Sequence, residues 1–244
     1  MRYALLADIH ANLEAFSAVL DDIQHRGGVD GYWCLGDIID YGPDPSACIQ
    51  LLKQLPHICI AGNHDLAAIG KADVKRFNPD AALTVHWTQR QLIPDDIEYL
   101  DGLSIIIEKG GFTMVHGSPY DPLWEYLISS GNAEKNFDYF STKYCLVGHS
   151  HKPLMFRRKQ DSGCSFIPFS ESIGQVLRDS RTIVNPGSIG QPRDGDSRAS
   201  YAIYDDESSV VRLYRVAYDI NSTQQKMAKA NLPVKFMVRL EQGL

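Results

Sequence analysis

No run of about eighteen consecutive apolar residues occurs in this 244-residue chain, so a membrane-spanning helix is not expected. The five cysteines (Cys34, Cys48, Cys59, Cys145 and Cys164) are odd in number and include no Cys-x-x-Cys pair. That argues against a disulfide framework and for a reducing compartment. Cys34, Cys59 and Cys145 lie inside apolar runs and read as core residues. An excess of positive charge is missing too. At a net charge of −6 the chain lacks the long-range field that drives non-specific binding to nucleic acid, which argues against nucleic acid as a tight partner. No basic segment leads into a long apolar stretch near the start, so no secretory signal is expected and a cytoplasmic location is. Internal repeats and low-complexity segments are absent.

What is present begins with an alternation of strand and helix patterns. Tyr3 to Ala7 is a short apolar run of strand type. Asn12 is a candidate N-cap, and Leu13, Phe16, Val19, Leu20 and Ile23 recur at helical spacing before Gly27-Gly28. Tyr32 to Leu35 is a second strand, Asp44-Pro45 opens a helix through about Lys53, and His57 to Ala61 is a third strand. This rhythm implies parallel strands with helical crossovers. From about 66 to 100 the pattern is mostly helical, with Asn78-Pro79 as a start signal, and reads as an insertion beside the strand ends. Leu103 to Glu108, Phe112 to Val115 and Tyr144 to Val147 follow as strands. Shorter runs after Lys152 (Leu154–Arg158, Ser165–Phe169, Arg181–Val184, Ala199–Tyr204 and Val210–Val216) suggest a second, largely antiparallel sheet packed on the first. The length suits an α/β protein of one domain over residues 1–244.

Five short motifs carry the chemistry: Asp8-Ile9-His10, Gly36-Asp37, Gly62-Asn63-His64-Asp65, His116-Gly117 and Gly148-His149-Ser150-His151. Each follows a strand-like run, and ligands gather at the carboxyl ends of strands in parallel sheets. Carboxylate, imidazole and amide oxygen are all offered and no cysteine is among them. Such donors suit two divalent transition ions (Mn, Fe, Zn or Co) rather than a thiolate-type structural zinc. In Asp8-x-His10 and His149-x-His151 alternate residues can point to one side. Asp37 can bridge two cations, and Asn63 can add a neutral oxygen. A pair of ions about 3.5–4 Å apart clamps the attacking and leaving oxygens of an in-line displacement.

The order of these motifs resembles the calcineurin-like metallophosphoesterase superfamily, including its bacterial phosphodiesterase and diadenosine tetraphosphatase-like branches. The match runs from residue 8 to 151, and Asn185-Pro186-Gly187-Ser188 resembles a further segment of the phosphodiesterase branch. The resemblance implies two mixed β-sheets packed as a sandwich flanked by helices. It implies one metal held by Asp8, His10, Asp37 and His151 and a second by Asp37, Asn63, His116 and His149, with Mn the ion expected to serve in vitro. It also implies in-line attack by a hydroxide between the metals, with His64 as general acid and Asp65 as the group that orients it.

Two departures narrow the substrate. The phosphatase and diadenosine tetraphosphatase branch usually has arginine where this chain has Tyr41 and Ala61, and arginine forks bind terminal phosphate bidentately. Many small bacterial phosphodiesterases carry Cys where His64 stands. The reading is therefore a phosphodiester or nucleotide-like phosphate ester, a small-molecule substrate. The alternatives are a phosphomonoesterase or dinucleoside polyphosphate hydrolase, and a metal-binding scaffold without activity. Arg193 is the candidate substitute for the absent arginines. Tyr120, Trp124 and Tyr126 are candidates to stack on a base or cover the site, Trp87 reads as core, and Arg157-Arg158-Lys159 as a solvated strand end. A homo-oligomer is left open.

Overall fold

The computed structural model describes residues 1–159, 163–171, 173–178 and 180–244. Three parallel strands, β1 (Arg2–Leu6), β2 (Gly31–Cys34) and β3 (His57–Cys59), alternate with helices α1 (Leu13–His25) and α2 (Pro45–Lys53). The α1 entry is fixed by Asn12, whose side chain accepts from the Ala15 amide at 3.1 Å. Its exit passes Gly27 and Gly28, both at positive φ. Next come α3 (Asn63–Ala68), a 3₁₀ turn (Val74–Arg76), α4 (Pro79–Gln89) and α5 (Pro94–Asp101). Asn78 caps α4 through the Ala81 amide.

A second sheet starts with β4 (Ile106–Lys109), β5 (Phe112–Val115) and β6 (Tyr144–Leu146), with α6 (Ser130–Asn136) between the last two. Then follow β7 (Pro153–Arg158), β8 (Cys164–Ile167), β9 (Gln175–Val176), β10 (Thr182–Pro186), β11 (Ala199–Asp205), β12 (Val210–Val216), α7 (Ile220–Lys229) and α8 (Val234–Gln242). The late strands do not build a sheet of their own, contrary to the pattern-based expectation. β11 pairs antiparallel with β1 and brings β12 and β9 into the first sheet, in the order β3-β2-β1-β11-β12-β9. β7, β8 and β10 join the second, β4-β5-β6-β10-β7-β8, where β10 is parallel to β6 and antiparallel to β7. Both sheets are mixed. Alternation of apolar residues specifies a face but not a partner, which is why strand content was readable and sheet membership was not.

The layers follow from the period-2 geometry of buried strands. On β1, Ala4 and Leu6 face α1 and α2 and meet Phe16, Val19, Ile23 and Leu52. Leu5 and Ala7 face the other way and pack with Trp33, Phe112, Met114, Leu146 and Val184 between the sheets. α6 covers the outer face of the second sheet through Ala133 and Phe137. α7 and α8 close over Tyr41 and α4 through Met227, Phe236 and Leu240, with Trp87 packed against them. No helix among the described residues is long and apolar enough to cross a membrane.

Candidate metal centre

The loops leaving β1, β2, β3, β5 and β6 meet at one rim of the sandwich. Their conformation is unusual. Asp8, His10, Ala11, Asp37, Asp40, Tyr41, His149 and His151 all lie at positive φ between 49° and 75°. For residues other than glycine such backbone costs roughly 1–2 kcal/mol each, and it persists only where the surroundings impose it. Two glycines make the close approach of the loops workable. A Cβ on Gly36, itself at φ +85°, would fall 2.5 Å from the Gly62 amide nitrogen, and a Cβ on Gly62 would fall 2.0 Å from an Asp37 carboxylate oxygen.

The result is a buried cluster of acceptors. His10, His116 and His151 each donate Nδ1–H to a backbone carbonyl, of Ile39 at 3.2 Å, Leu35 at 2.7 Å and Gln191 at 2.6 Å respectively. A carbonyl can only accept, so in the neutral form of each ring Nε2 carries a bare lone pair. These lone pairs point at one another and at oxygens. His10 Nε2 and His151 Nε2 are 3.1 Å apart, with Asp37 Oδ2 3.6 Å from the first and Asp8 Oδ1 3.6 Å from the second. His116 Nε2 stands 3.1 Å from both Asp37 Oδ2 and Asn63 Oδ1, and 3.2 Å from His149 Nδ1. Asp8 Oδ2 and Asp37 Oδ2 are fully buried without a hydrogen-bond partner. Groups that only accept repel at these separations, and a cation between them reverses the sign. The cluster resolves into Asp8, His10, Asp37 and His151 on one side and Asp37, His116 and His149 on the other, with Asp37 shared. Asn63 adds its oxygen to the second group. The donor set fits two divalent transition ions.

Electrostatics agree for three of the four imidazoles, and His116 would have to lose a proton to ligate. Burial pushes the His10 and His151 imidazoles well below their ordinary range, and burial followed by the charge of His116 brings His149 down to about 3. These three are held neutral, the form that ligates metal. Burial drives Asp8 up to about 7. Burial also opposes ionisation of Asp37, but His116 and His64 outweigh it and hold that carboxyl well below its usual value. His116 rises to about 9 because Asp37 more than offsets its burial.

The surrounding loops are tied to one another. Asn185 donates to the Gly148 carbonyl at 2.6 Å and to Ser150, while Ser188 Oγ and the Gly190 amide both donate to the Asp8 carbonyl. The Asn185–Ser188 segment therefore positions the loops bearing Asp8 and His149. His64 lies beside the cluster, and its amide donates to Asp37 at 3.0 Å. Its ring partner is Asp40, 2.5 Å from Nδ1, and Thr88 of α4 steadies the other Asp40 oxygen at 3.3 Å. Burial would lower the His64 pKa, but the Asp37 charge and the Asp40 bond raise it overall. Asp65, expected to orient this ring, does something else. Its carboxylate accepts from the Asp37, Ile38 and Gly62 amides at 2.8–2.9 Å, pinning the loop that presents Asp37. At the third position of a helix its side chain turns back to loop amides rather than forward to its neighbour's ring. Asp40, in the same Gly36–Gly42 segment as Asp37, was legible as a second carboxylate but carried no signal of its partner.

A cavity of about 310 Å³ opens over the cluster, lined by Tyr41, Asn63, His64, Arg76, Phe77, Trp124, Tyr126 and others. Tyr126 stacks on His149 at 4.1 Å, and the Arg76 guanidinium lies 4.0 Å over the Trp124 ring. Tyr120 is elsewhere, against Tyr139. Lys152 is exposed, and Arg158 pairs with Asp138.

The chain is similar to known proteins. The sequence profile of the calcineurin-like phosphoesterase superfamily domain matches residues 1–209. The crystal structure of a metallophosphoesterase from Sphaerobacter thermophilus is 41% identical and superposes with a TM-score of 0.90, over 100% of this chain and 99% of that one. An uncharacterised protein of Methanocaldococcus jannaschii is 36% identical over 94% of this chain and 93% of its own length. A symmetrical bis(5'-nucleosyl)-tetraphosphatase of Photorhabdus laumondii is 27% identical over 123 residues, 45% of this chain and 44% of its own. The chain belongs to the calcineurin-like phosphoesterase superfamily.

Proposed function

We propose that the protein is a cytoplasmic, dinuclear metal-dependent hydrolase of a phosphodiester or nucleotide-like phosphate ester. The observation that supports this most is the facing of bare imidazole nitrogens, His10 and His151 at 3.1 Å, over buried carboxylates. Asp8, His10, Asp37 and His151 would hold one ion, and Asp37, Asn63, His116 and His149 the other. When bound, such ions supply Lewis-acid polarisation of the phosphoryl oxygens and favour attack by water.

The chain's own groups do the rest. Asp37 holds the two halves of the cluster in one unit and, through the His64 amide, sets where that side chain stands. The His64 ring lines the cavity and is anchored through Nδ1 by Asp40, so its raised pKa keeps a proton available for the leaving oxygen. Phe77, edge-on to His64 at 4.7 Å, and Trp124 exclude water on that side. A dinucleoside polyphosphate is the second reading, favoured by the partial likeness to the symmetrical tetraphosphatase.

The test is a substrate panel with Mn supplied. Faster hydrolysis of a bis-aryl phosphate than of a mono-aryl phosphate is expected. A monoester preference of about tenfold or more, worth about 1.4 kcal/mol in transition-state binding, would overturn the diester reading.

A further inference from the structure

Tyr41 stands where an arginine is usual, and what surrounds it is cationic. The Arg193 guanidinium lies 5.8 Å from the centre of the Tyr41 ring. Its Nη2 donates to Gln191 Oε1 at 2.8 Å, while its Nε is buried with no partner. Phe236 of α8 also packs on the Tyr41 ring, at 4.6 Å, and the Arg239 guanidinium sits 5.4 Å over Phe236. Among the described residues neither arginine has a carboxylate within 4.0 Å, and the Arg239 side chain makes no hydrogen bond. The nearby acids are committed elsewhere: Asp194 to Arg215, Asp196 to Arg198 and Asp80 to Lys235. After burial, the charge of Arg193 is the strongest influence on Arg239 and lowers its pKa, while the Tyr41 hydroxyl, the more distant Asp80 and the Tyr126 hydroxyl act in the opposite sense. Neither hydroxyl has a hydrogen-bond partner among the described residues.

Among the described residues, two half-buried guanidiniums that repel one another, neither within 4.0 Å of a carboxylate, and two hydroxyls without protein partners form a surface rich in free donors. A polyanion satisfies all of them at once. We propose that Arg193, Arg239, Tyr41 and Tyr126 form an anion subsite beside the metal centre for a second phosphate of the substrate. It takes over the task of the arginines absent at 41 and 61. Arg239 lies outward of the metal ligands, because the Tyr41 ring intervenes between His10, at 4.7 Å, and Phe236. A group held there is therefore not the one being hydrolysed. The favoured substrate class is thus an ester with two or more linked phosphates, such as a nucleoside polyphosphate. This rests on the proposed phosphoesterase function and narrows it.

The experiment is calorimetric titration of the Mn-loaded, full-length protein with inorganic pyrophosphate and, separately, orthophosphate. Arg239→Ala should weaken pyrophosphate binding about tenfold or more, the worth of a lost charge-assisted bond, and leave orthophosphate within about twofold. Arg239→Lys should recover part of the loss, and exposed Arg90→Ala should change neither. Metal content should match the wild type in each. Equal loss for both anions, no loss for either, or no pyrophosphate binding by the wild type would overturn the subsite. Failure of the wild type to take up metal would instead sink the proposed function. In that case the pyrophosphate comparison on the same protein still decides the subsite.

Discussion

The loop rim at the strand ends and the helical cover beside it are built on different principles. The rim buries carboxylates, imidazoles and an amide, and eight of its non-glycine residues lie at positive φ, a backbone such residues avoid. The cover of α4, α7 and α8 is ordinary apolar packing around Phe236, Met227, Leu240 and Ala81. Strain and buried acceptors in one region, and relaxed apolar contact in the other, mean that the rim depends on what it binds. The cover depends on what it packs against. The two regions meet at Tyr41, between the groups proposed to hold metal and those proposed to read the substrate.

The contrast breaks most sharply at Asp37. Asp37→Asn removes the shared carboxylate, so turnover should fall about 10³-fold or more, the loss of several kcal/mol of charge stabilisation, as initial rates will show. Retained turnover would show that the two halves of the cluster do not act as one. His64→Ala comes next, with a loss of about 10²–10⁴ in kcat and metal content unchanged, as expected for a proton donor that is not a ligand. Loss of metal in that variant would assign His64 to the rim's structure instead. The smallest effect belongs to the aromatic wall. Trp124→Ala should raise KM for a nucleotide ester about three- to tenfold with kcat little changed, because it removes one stacking face and the rest of Arg76. An unchanged KM would mean that this wall only excludes water.

The rim was legible in the sequence because its chemistry is local. Asp8, Asp37, Asn63, His116 and His149 each come one to four residues after a strand, and no other residue types do their work. The cover was legible only at α4, through Asn78-Pro79. α7 and α8 were not, although Asp219 caps α7 and Gly243 ends α8 at positive φ, because no ligand-bearing motif marks that stretch. Asp65 shows the limit within the motifs themselves: adjacency to His64 suggested a pair, whereas the helix start turned its carboxylate to the Asp37 loop and left the ring to Asp40. β11 shows the same for topology, since its partner β1 is about two hundred residues away in sequence and no local pattern encodes that pairing.

The central claim is that the buried acceptors exist to hold two ions through a common Asp37. Elemental analysis of wild type and Asp37→Asn, both purified with Mn present, tests it directly. Close to two transition ions per wild-type chain, and one or fewer in the variant, is the predicted result. No bound ion in the wild type, or two retained in the variant, would contradict it.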